Sequence, residues 1–256
     1  MNVAIDIEAQ KFILVFFRVA AVLFMVPLFS ARFVSGLFKG GLALLIAFLL
    51  YELVKTNIVL GQDTFSLFLL SGKEVFVGAV IGFIIRLIFI CASISGEIIS
   101  FQSGFSFARF MDPYSMTQVS ILEQVKNIIA LIMFFVVDAH HMLIKGVAYS
   151  FSQLPVGAVT LNSSIAGYLV TATGKIFAAA FRIGAPIIVT LFLVELSFGM
   201  LSRMIPQANV FVDGIPMKIL IAVTMLGLSL GYIVPNIGGL FKGLETDFIR
   251  VIRMMG

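Results

Sequence analysis

Residues 95–126 read SGEIISFQSGFSFARFMDPYSMTQVSILEQVK and interrupt an otherwise strongly apolar chain. No run of about 20 apolar residues, the length that crosses a bilayer as a helix, can be drawn within them. On both sides the chain returns to nearly continuous Leu, Ile, Val and Phe. The pattern predicts an all-α fold of membrane-type helices, with a central polar and aromatic segment at about 95–127.

The composition indicates an integral membrane protein. Hydrophobic residues make up 61% of the 256 residues and charged residues only 12%, and the mean hydropathy is +1.14. A soluble domain carries about 25% charged residues, so this chain cannot cover itself with a water-compatible surface. We expect a single membrane domain over residues 1–256. No cleavable signal peptide is predicted, because Asp6 and Glu8 precede the first apolar run.

Six apolar segments follow one another along the chain, and each is long enough to suggest a helix or helical hairpin. The third is unusually long and is either two elements or one extended helix. Pro235 and the following glycine pair are expected to stop the sixth segment, and the tail at about 238–256 is an amphipathic helix suited to a membrane interface or a partner. The segments are 12–29, 41–60, 65–94, 128–137 (continuing towards 149), 176–201 and 217–234.

Charged side chains inside these segments are costly, by several kcal/mol each, unless they are paired or face water. They are either lining a pore or proton path, or making interhelical and intersubunit pairs, and the second interpretation is preferred. The 17 lysines and arginines are scattered, which argues against nucleic-acid binding. The charges to which this applies are Arg18, Glu52, Arg86, Arg182 and Glu195, and the second and third segments also hold Lys55, Lys73 and Glu74.

Residues that commonly hold metals or catalyse reactions are few. Cys91 is the only cysteine, and it lies in an apolar run as a small buried thiol would. Adjacent helical residues point about 100° apart, so His140 and His141 are not expected to chelate one ion with Asp138. No nucleotide-binding or hydrolase motif is present. We therefore expect no metal, no cofactor and no enzymatic activity.

Two further patterns concern packing and orientation. Gly-x-x-x-Gly spacings at Gly78/Gly82 and Gly227/Gly231 fall mid-segment and predict close helix contacts. If the six segments are threaded alternately, both sides receive similar numbers of Lys and Arg, so the usual charge bias that orients membrane proteins is nearly missing. Either the orientation is not encoded this way, or the helices are hairpins packed into a larger assembly.

The central segment is rich in Phe and Met, which a water-exposed loop would avoid. Such side chains suit a closable constriction, because they exclude water when packed and Met deforms easily. Asp112 followed by Pro113 is typical of a helix start, so we expect regular structure to resume there. The alternative is a re-entrant core loop without a gating role.

Many individually weak matches, in order over the whole chain, resemble the FliR family of flagellar export-gate proteins, called SctT in injectisomes. The matching residues are Arg18, Pro27, Ser30, Arg32, Lys39, Gly41, Gly96-Glu97, Gln102, Gly104, Phe107, Asp112-Pro113, His140, Leu154-Pro155-x-Gly157, Pro186, Gly199, Arg203-x-x-Pro206-Gln207, Phe211, Gly214 and Pro216.

This resemblance implies a non-enzymatic subunit of the flagellar type III export gate in the bacterial inner membrane, at the basal body. FliP-type and FliQ-type subunits would complete the gate, with FlhA-type and FlhB-type neighbours, and unfolded axial proteins would pass through. Family members plug the channel with the central loop, which maps to Gly104, Phe105, Phe107, Phe110, Met111, Asp112, Pro113 and Met116. Charges expected to be buried and to serve assembly are Arg18, Arg86, Arg182, Glu195 and Arg203.

Two other functions remain open from the residues alone. A small secondary transporter would use Pro27 and Pro186 to break helices around a mid-membrane site. A membrane scaffold would differ from a gate subunit only in lacking a conduit.

Overall fold

The computed structural model describes residues 7–30, 34–52, 54, 64–106, 120–159, 163–204 and 210–256. Every regular element in these ranges is an α-helix, which confirms the predicted all-α class. The helices are α1 (Ile7–Met25), α2 (Pro27–Ser30), α3 (Gly36–Tyr51), α4 (Thr64–Ser103), α5 (Ile121–Val136), α6 (Ala139–Gln153), α7 (Ser163–Met204), α8 (Val210–Lys242) and α9 (Leu244–Met255).

The chain folds into two compact units, and each is assembled from separate stretches of sequence. The first unit comprises Met1–Leu87, Val137–Ala172 and Phe241–Gly256. The second comprises Ile88–Val136 and Thr173–Leu240. The long helices α4, α7 and α8 supply residues to both units, because the unit boundaries fall within them.

Fewer helices could cross a bilayer than the six predicted segments. Among the described residues, three helical stretches are long and apolar enough, Thr64–Ser103, Ser163–Met204 and Gly214–Met255, and the bent pair α5 and α6 makes a fourth if it counts as one span. Helix α3 has 16 residues, about 24 Å, which is shorter than the hydrocarbon core of about 30 Å. Helix α1 carries three charges, Glu8, Lys11 and Arg18, within its 19 residues.

Helix α4 is a single helix of 40 residues, which decides between the two interpretations of the third segment. It extends for about 60 Å and passes the predicted end at residue 94 to reach Ser103. Polar residues such as Ser95 and Glu97 do not break a helix whose neighbour packs closely. A Cβ on Gly96 would lie 2.5 Å from the Cα of Glu123, so α4 and α5 touch backbone to backbone there.

Two predicted helix boundaries near prolines are wrong. Helix α8 continues through Pro235 to Lys242, and it starts at Val210, so Pro216 lies inside it instead of in a connection. A proline in a helix interior costs about 3 kcal/mol. Burial on one face outweighs that cost, since Ile233 and Ile237 are each at most 1% exposed.

The tail forms α9, and its apolar face packs on helix α6 of the same unit. A Cβ on Gly146 of α6 would lie 2.7 Å from the ring of Phe248, so the ring rests on the glycine backbone. Phe248 and Ile252 are buried. The helix and its amphipathic pattern are confirmed, but the expected partner is wrong, because this chain covers the apolar face itself.

Candidate functional site

The predicted plug begins where α4 ends. Gly104 has φ +88°, a left-handed conformation that L side chains rarely adopt. A Cβ at this glycine would also lie 3.1 Å from Cγ2 of Ile215 in α8. Phe105 is half-buried, and Ser106 is mostly buried with its amide N–H donating to the Ser100 carbonyl at 3.4 Å. The chain therefore leaves α4 in a fixed direction.

The other predicted plug residues lie outside the described residues, as does the predicted helix start. They are Phe107, Phe110, Met111, Asp112, Pro113 and Met116. Ser120 is the next described residue along the chain. Its hydroxyl accepts the Glu123 amide N–H at 3.1 Å and so caps α5. Ser120 and Glu123 have the Ser-x-x-Glu spacing of a capping box, a signal that sequence reasoning overlooked.

Helices α4 and α5 are joined by polar contacts next to this start. The buried Lys126 ammonium donates to the Ser95 hydroxyl at 2.6 Å. Asn127 and Ser93 form a second side-chain hydrogen bond, with an N···O distance of 2.8 Å and an O···O distance of 3.1 Å. A buried charge is costly to leave without hydrogen bonds, so these contacts fix the pairing of α4 with α5. Residues 107–119 thus connect α4 to α5, two helices that are joined by side-chain hydrogen bonds.

A cleft of ≈270 Å³ lies in the second unit, beside the place where Gly104 contacts Ile215. Its lining comes from the end of α7 and the start of α8, and Ile215, which faces Gly104, is part of it. Lys218 of α8 donates to Glu195 of α7 at 3.1 Å across the cleft. The Glu195 side chain is 59% exposed, so the pair is near the surface and contributes little stability.

Arg18 is the centre of a buried cluster in the first unit. Its Nε donates to Oε2 of Glu74 in α4 at 2.5 Å, and its Nη1 donates to the Ser150 hydroxyl of α6 at 3.1 Å. Both terminal nitrogens donate to the Leu154 carbonyl at 3.2–3.3 Å. The second carboxylate oxygen of Glu74 accepts the Gly157 amide N–H at 2.8 Å. Both charged side chains are fully buried.

This cluster satisfies the guanidinium almost completely, which is the condition for burying such a charge. It joins three helices and the turn after α6. The predicted interhelical pairing is found for Arg18, but the sequence did not identify Glu74, 56 residues away, as its partner. Gly78 makes the cluster possible, since a Cβ there would lie too close to the Arg18 carbonyl oxygen for α1 and α4 to pack as they do.

The close helix contacts predicted at the two Gly-x-x-x-Gly pairs differ in the structure. Gly78 and Gly82 both sit against the backbone of α1, as predicted, and a Cβ on Gly82 would lie 2.5 Å from the Met25 Cβ. Around Gly227 and Gly231 nothing lies within 4 Å in the part of the chain that is described. Their predicted helix contact is therefore not made there.

The remaining predicted assembly charges are exposed in the single chain, so their burial against a partner stays a prediction. Arg86 reaches the Met25 sulfur at 3.9 Å, and the backbone carbonyl of Arg182 accepts from the Tyr232 hydroxyl at 3.3 Å. Arg203 is also exposed. Apolar neighbours in the sequence do not reveal which side of a helix faces the rest of the chain, and these residues lie on the outer side.

Asp138 and the two histidines are closer together than helical spacing predicts. Asp138 precedes α6 with φ +56° and no capping bond from its side chain. The imidazole rings of His140 and His141 lie 4.1 Å apart between centroids. One ligand atom of each of the three residues lies within 4.8 Å of the others. The expectation that these side chains cannot converge is wrong.

The described residues contain three to four apolar helices of membrane-spanning length and no other kind of regular element, which defines an all-α membrane protein. Residues 9–244 match the family model described as bacterial export proteins, family 1, and the chain belongs to that family.

Several similar proteins share the name FliR. The chain is 33% identical to the flagellar biosynthetic protein FliR of Bacillus subtilis, over 100% of this chain and 99% of that protein. It is 32% identical to FliR of Escherichia coli, over 92% and 90%, and 28% identical to FliR of Aquifex aeolicus, over 93% and 91%. The resemblance inferred from the sequence motifs is confirmed.

Proposed function

We propose that this chain is a non-enzymatic subunit of the flagellar type III export gate in the inner membrane, at the basal body. The observation that carries the proposal is the match to FliR proteins over the whole chain. In this proposal FliP-type and FliQ-type subunits complete the conduit, and FlhA-type and FlhB-type proteins adjoin it. Unfolded axial proteins are the cargo.

The central segment serves as the plug of this conduit in our proposal. It is Phe- and Met-rich, which suits a seal that excludes ions and then deforms around cargo. Its support comes from the described residues at its two ends. Gly104 fixes the exit from α4, and the cap of α5 and the Lys126–Ser95 bond hold the return.

Exposed charges on apolar helices support an assembly role. Arg86, Arg182 and Arg203 would each be costly to place against lipid, and a neighbouring subunit's carbonyls or carboxylates would satisfy them. Arg18 has an assembly role of a different kind, because its buried contacts hold together the first unit, which carries Arg86.

The plug is tested by deleting residues 107–116 in the complete gate. We expect a leak of ions and small solutes, because the deletion removes the aromatic and Met side chains but leaves the anchored ends. Conductance of the reconstituted complex and influx of a small dye into cells are the measurements. The matched control is a gate that carries Glu245→Gln, which changes an exposed carboxylate on α9 outside the plug.

Co-purification with the FliP-type subunit must be retained for the result to count. A deleted gate that assembles normally and stays as tight as the parent would refute the plug. A chain that purifies as a solitary monomer or dimer would instead favour a secondary transporter. The structure does not favour that alternative, because Pro186 lies inside the continuous helix α7 and does not break it.

A further inference from the structure

The only two histidines of the chain are adjacent, and both follow Asp138 at the start of α6. In a regular helix, neighbouring side chains diverge by about 100°. Here the convergence comes from the residue before the helix. Asp138 takes a left-handed conformation, which Asp tolerates better than most residues, and this turns its carboxylate back over the first turn of α6.

The distances are close to those of a metal site. Oδ1 of Asp138 lies 3.2 Å from Nδ1 of His141 and 3.9 Å from Nε2 of His140. Two ligands that each lie about 2.1 Å from a tetrahedral zinc ion are roughly 3.4 Å apart. The two distances from Asp138 lie on either side of that value, and all three ligand atoms lie within 4.8 Å of one another, so small side-chain rotations would give them a common centre.

The ligand types select the kind of ion. Two imidazole nitrogens and one carboxylate oxygen suit Zn²⁺, Cu²⁺, Ni²⁺ or Co²⁺, whereas Mg²⁺ and Ca²⁺ prefer sites made only of oxygen. Asp138 and His141 are more than 60% exposed, which gives an ion a direct path of entry. The helix N-terminus opposes a cation, but this effect is small beside three ligand bonds and is countered by the carboxylate.

We propose that Asp138, His140 and His141 bind one divalent transition-metal ion of the zinc type, through Oδ1, Nε2 and Nδ1 respectively. The ion holds the first turn of α6 to the left-handed residue that precedes it. Water or a ligand from another molecule completes the coordination. This site is independent of the proposed gate function, so either can fail without the other.

The test uses the complete chain, purified in detergent with an affinity tag that contains no histidine and stripped of metal with EDTA. Equilibrium dialysis against Zn²⁺, followed by elemental analysis, gives the stoichiometry and the affinity. We expect one zinc per chain. His141→Ala and Asp138→Asn should each weaken binding at least ~10-fold, since each removes one of three ligands. Asp138→Asn keeps a residue that tolerates the left-handed conformation.

A spectroscopic measurement separates coordination from loose association. Cu²⁺ bound to the parent chain should show two nitrogen ligands in electron paramagnetic resonance, and the His141→Ala chain should show one. Glu245→Gln, which changes an exposed carboxylate on α9, is the matched control and should bind as the parent does. Far-UV circular dichroism checks that every variant keeps its helices.

Two results would overturn the proposal. One is a stoichiometry well below one zinc per chain in the parent protein. The other is equal zinc affinity in the parent, His141→Ala and the double variant His140→Ala/His141→Ala, which would show that the metal binds elsewhere.

Discussion

At the scale of single residues, the Arg18–Glu74 pair shows how this chain accommodates charge in an apolar setting. The guanidinium makes bonds to a carboxylate, a hydroxyl and a backbone carbonyl, and it lies 4.1 Å from the centre of the Phe151 ring. Removing one member leaves the other buried without compensation, which is more damaging than replacing both.

Glu74→Gln should therefore destabilise the protein by about 3–5 kcal/mol, because the Arg18 charge stays buried without its counter-ion. The loss is measured as a lower thermal unfolding midpoint in detergent. Glu52→Gln, at the exposed end of α3, is the matched control. The double change Arg18→Met/Glu74→Leu should recover part of the loss, and an unchanged midpoint for Glu74→Gln alone would contradict the pairing account.

At the scale of helices, backbone contact at glycine decides which helices pack closely. Helix α1 approaches α4 at Gly78 and Gly82, and α5 approaches α4 at Gly96. In each place a methyl group would collide with backbone or Cβ atoms, which cannot move aside as the end of a flexible side chain can. Gly227 has the same Gly-x-x-x-Gly context but open space around it.

Gly78→Ala should lower stability by about 1–3 kcal/mol, since the new methyl group forces α1 away from α4. Gly227→Ala is the matched control, and it should be neutral or slightly stabilising because alanine favours a helix. Thermal unfolding of the two variants side by side is the measurement. Equal midpoints would show that the close approach of α1 to α4 is not required for the fold.

At the scale of the whole molecule, large apolar side chains remain exposed on the long helices, as expected for a chain that meets lipid or other subunits. Among those on α7 are Phe177, Phe181 and Phe192, each more than half exposed. The exposed charges Arg182 and Glu195 lie on the same helix. A helix with this surface is suited to assembly.

Arg182→Ala and Glu195→Ala should reduce co-purification with the FliP-type subunit several-fold, because we place Arg182 against a neighbouring subunit and expect the exposed Glu195 carboxylate, which also accepts from Lys218, to join that contact. Gates that do assemble should conduct as the parent does. Arg253→Ala, an exposed arginine at the end of α9, is the matched control. Full co-purification of both variants would show that these charges serve no assembly contact.

The class of the protein could be predicted from the sequence, because hydropathy and helical tendency are local and additive along the chain. Length and apolar content predicted an all-α membrane protein. The ordered motifs indicated the FliR family, which the whole-chain matches support. The amphipathic tail helix and the Gly78/Gly82 contact were also predicted correctly. All of these depend on residues near each other in sequence.

Only the tertiary structure decided which charges are buried, which helices continue through proline and where the histidines point. Arg18 and Arg86 have similar apolar neighbours in sequence, but within the described ranges Arg18 meets a carboxylate 56 residues away and Arg86 reaches the Met25 sulfur. Pro235 remains helical because the surrounding helix is packed. The Asp138–His141 cluster forms because the φ angle of Asp138 is positive instead of negative. The buried ion pair depends on a contact between distant residues, whose energy exceeds local preference, whereas the histidine cluster depends on the φ angle of Asp138 alone.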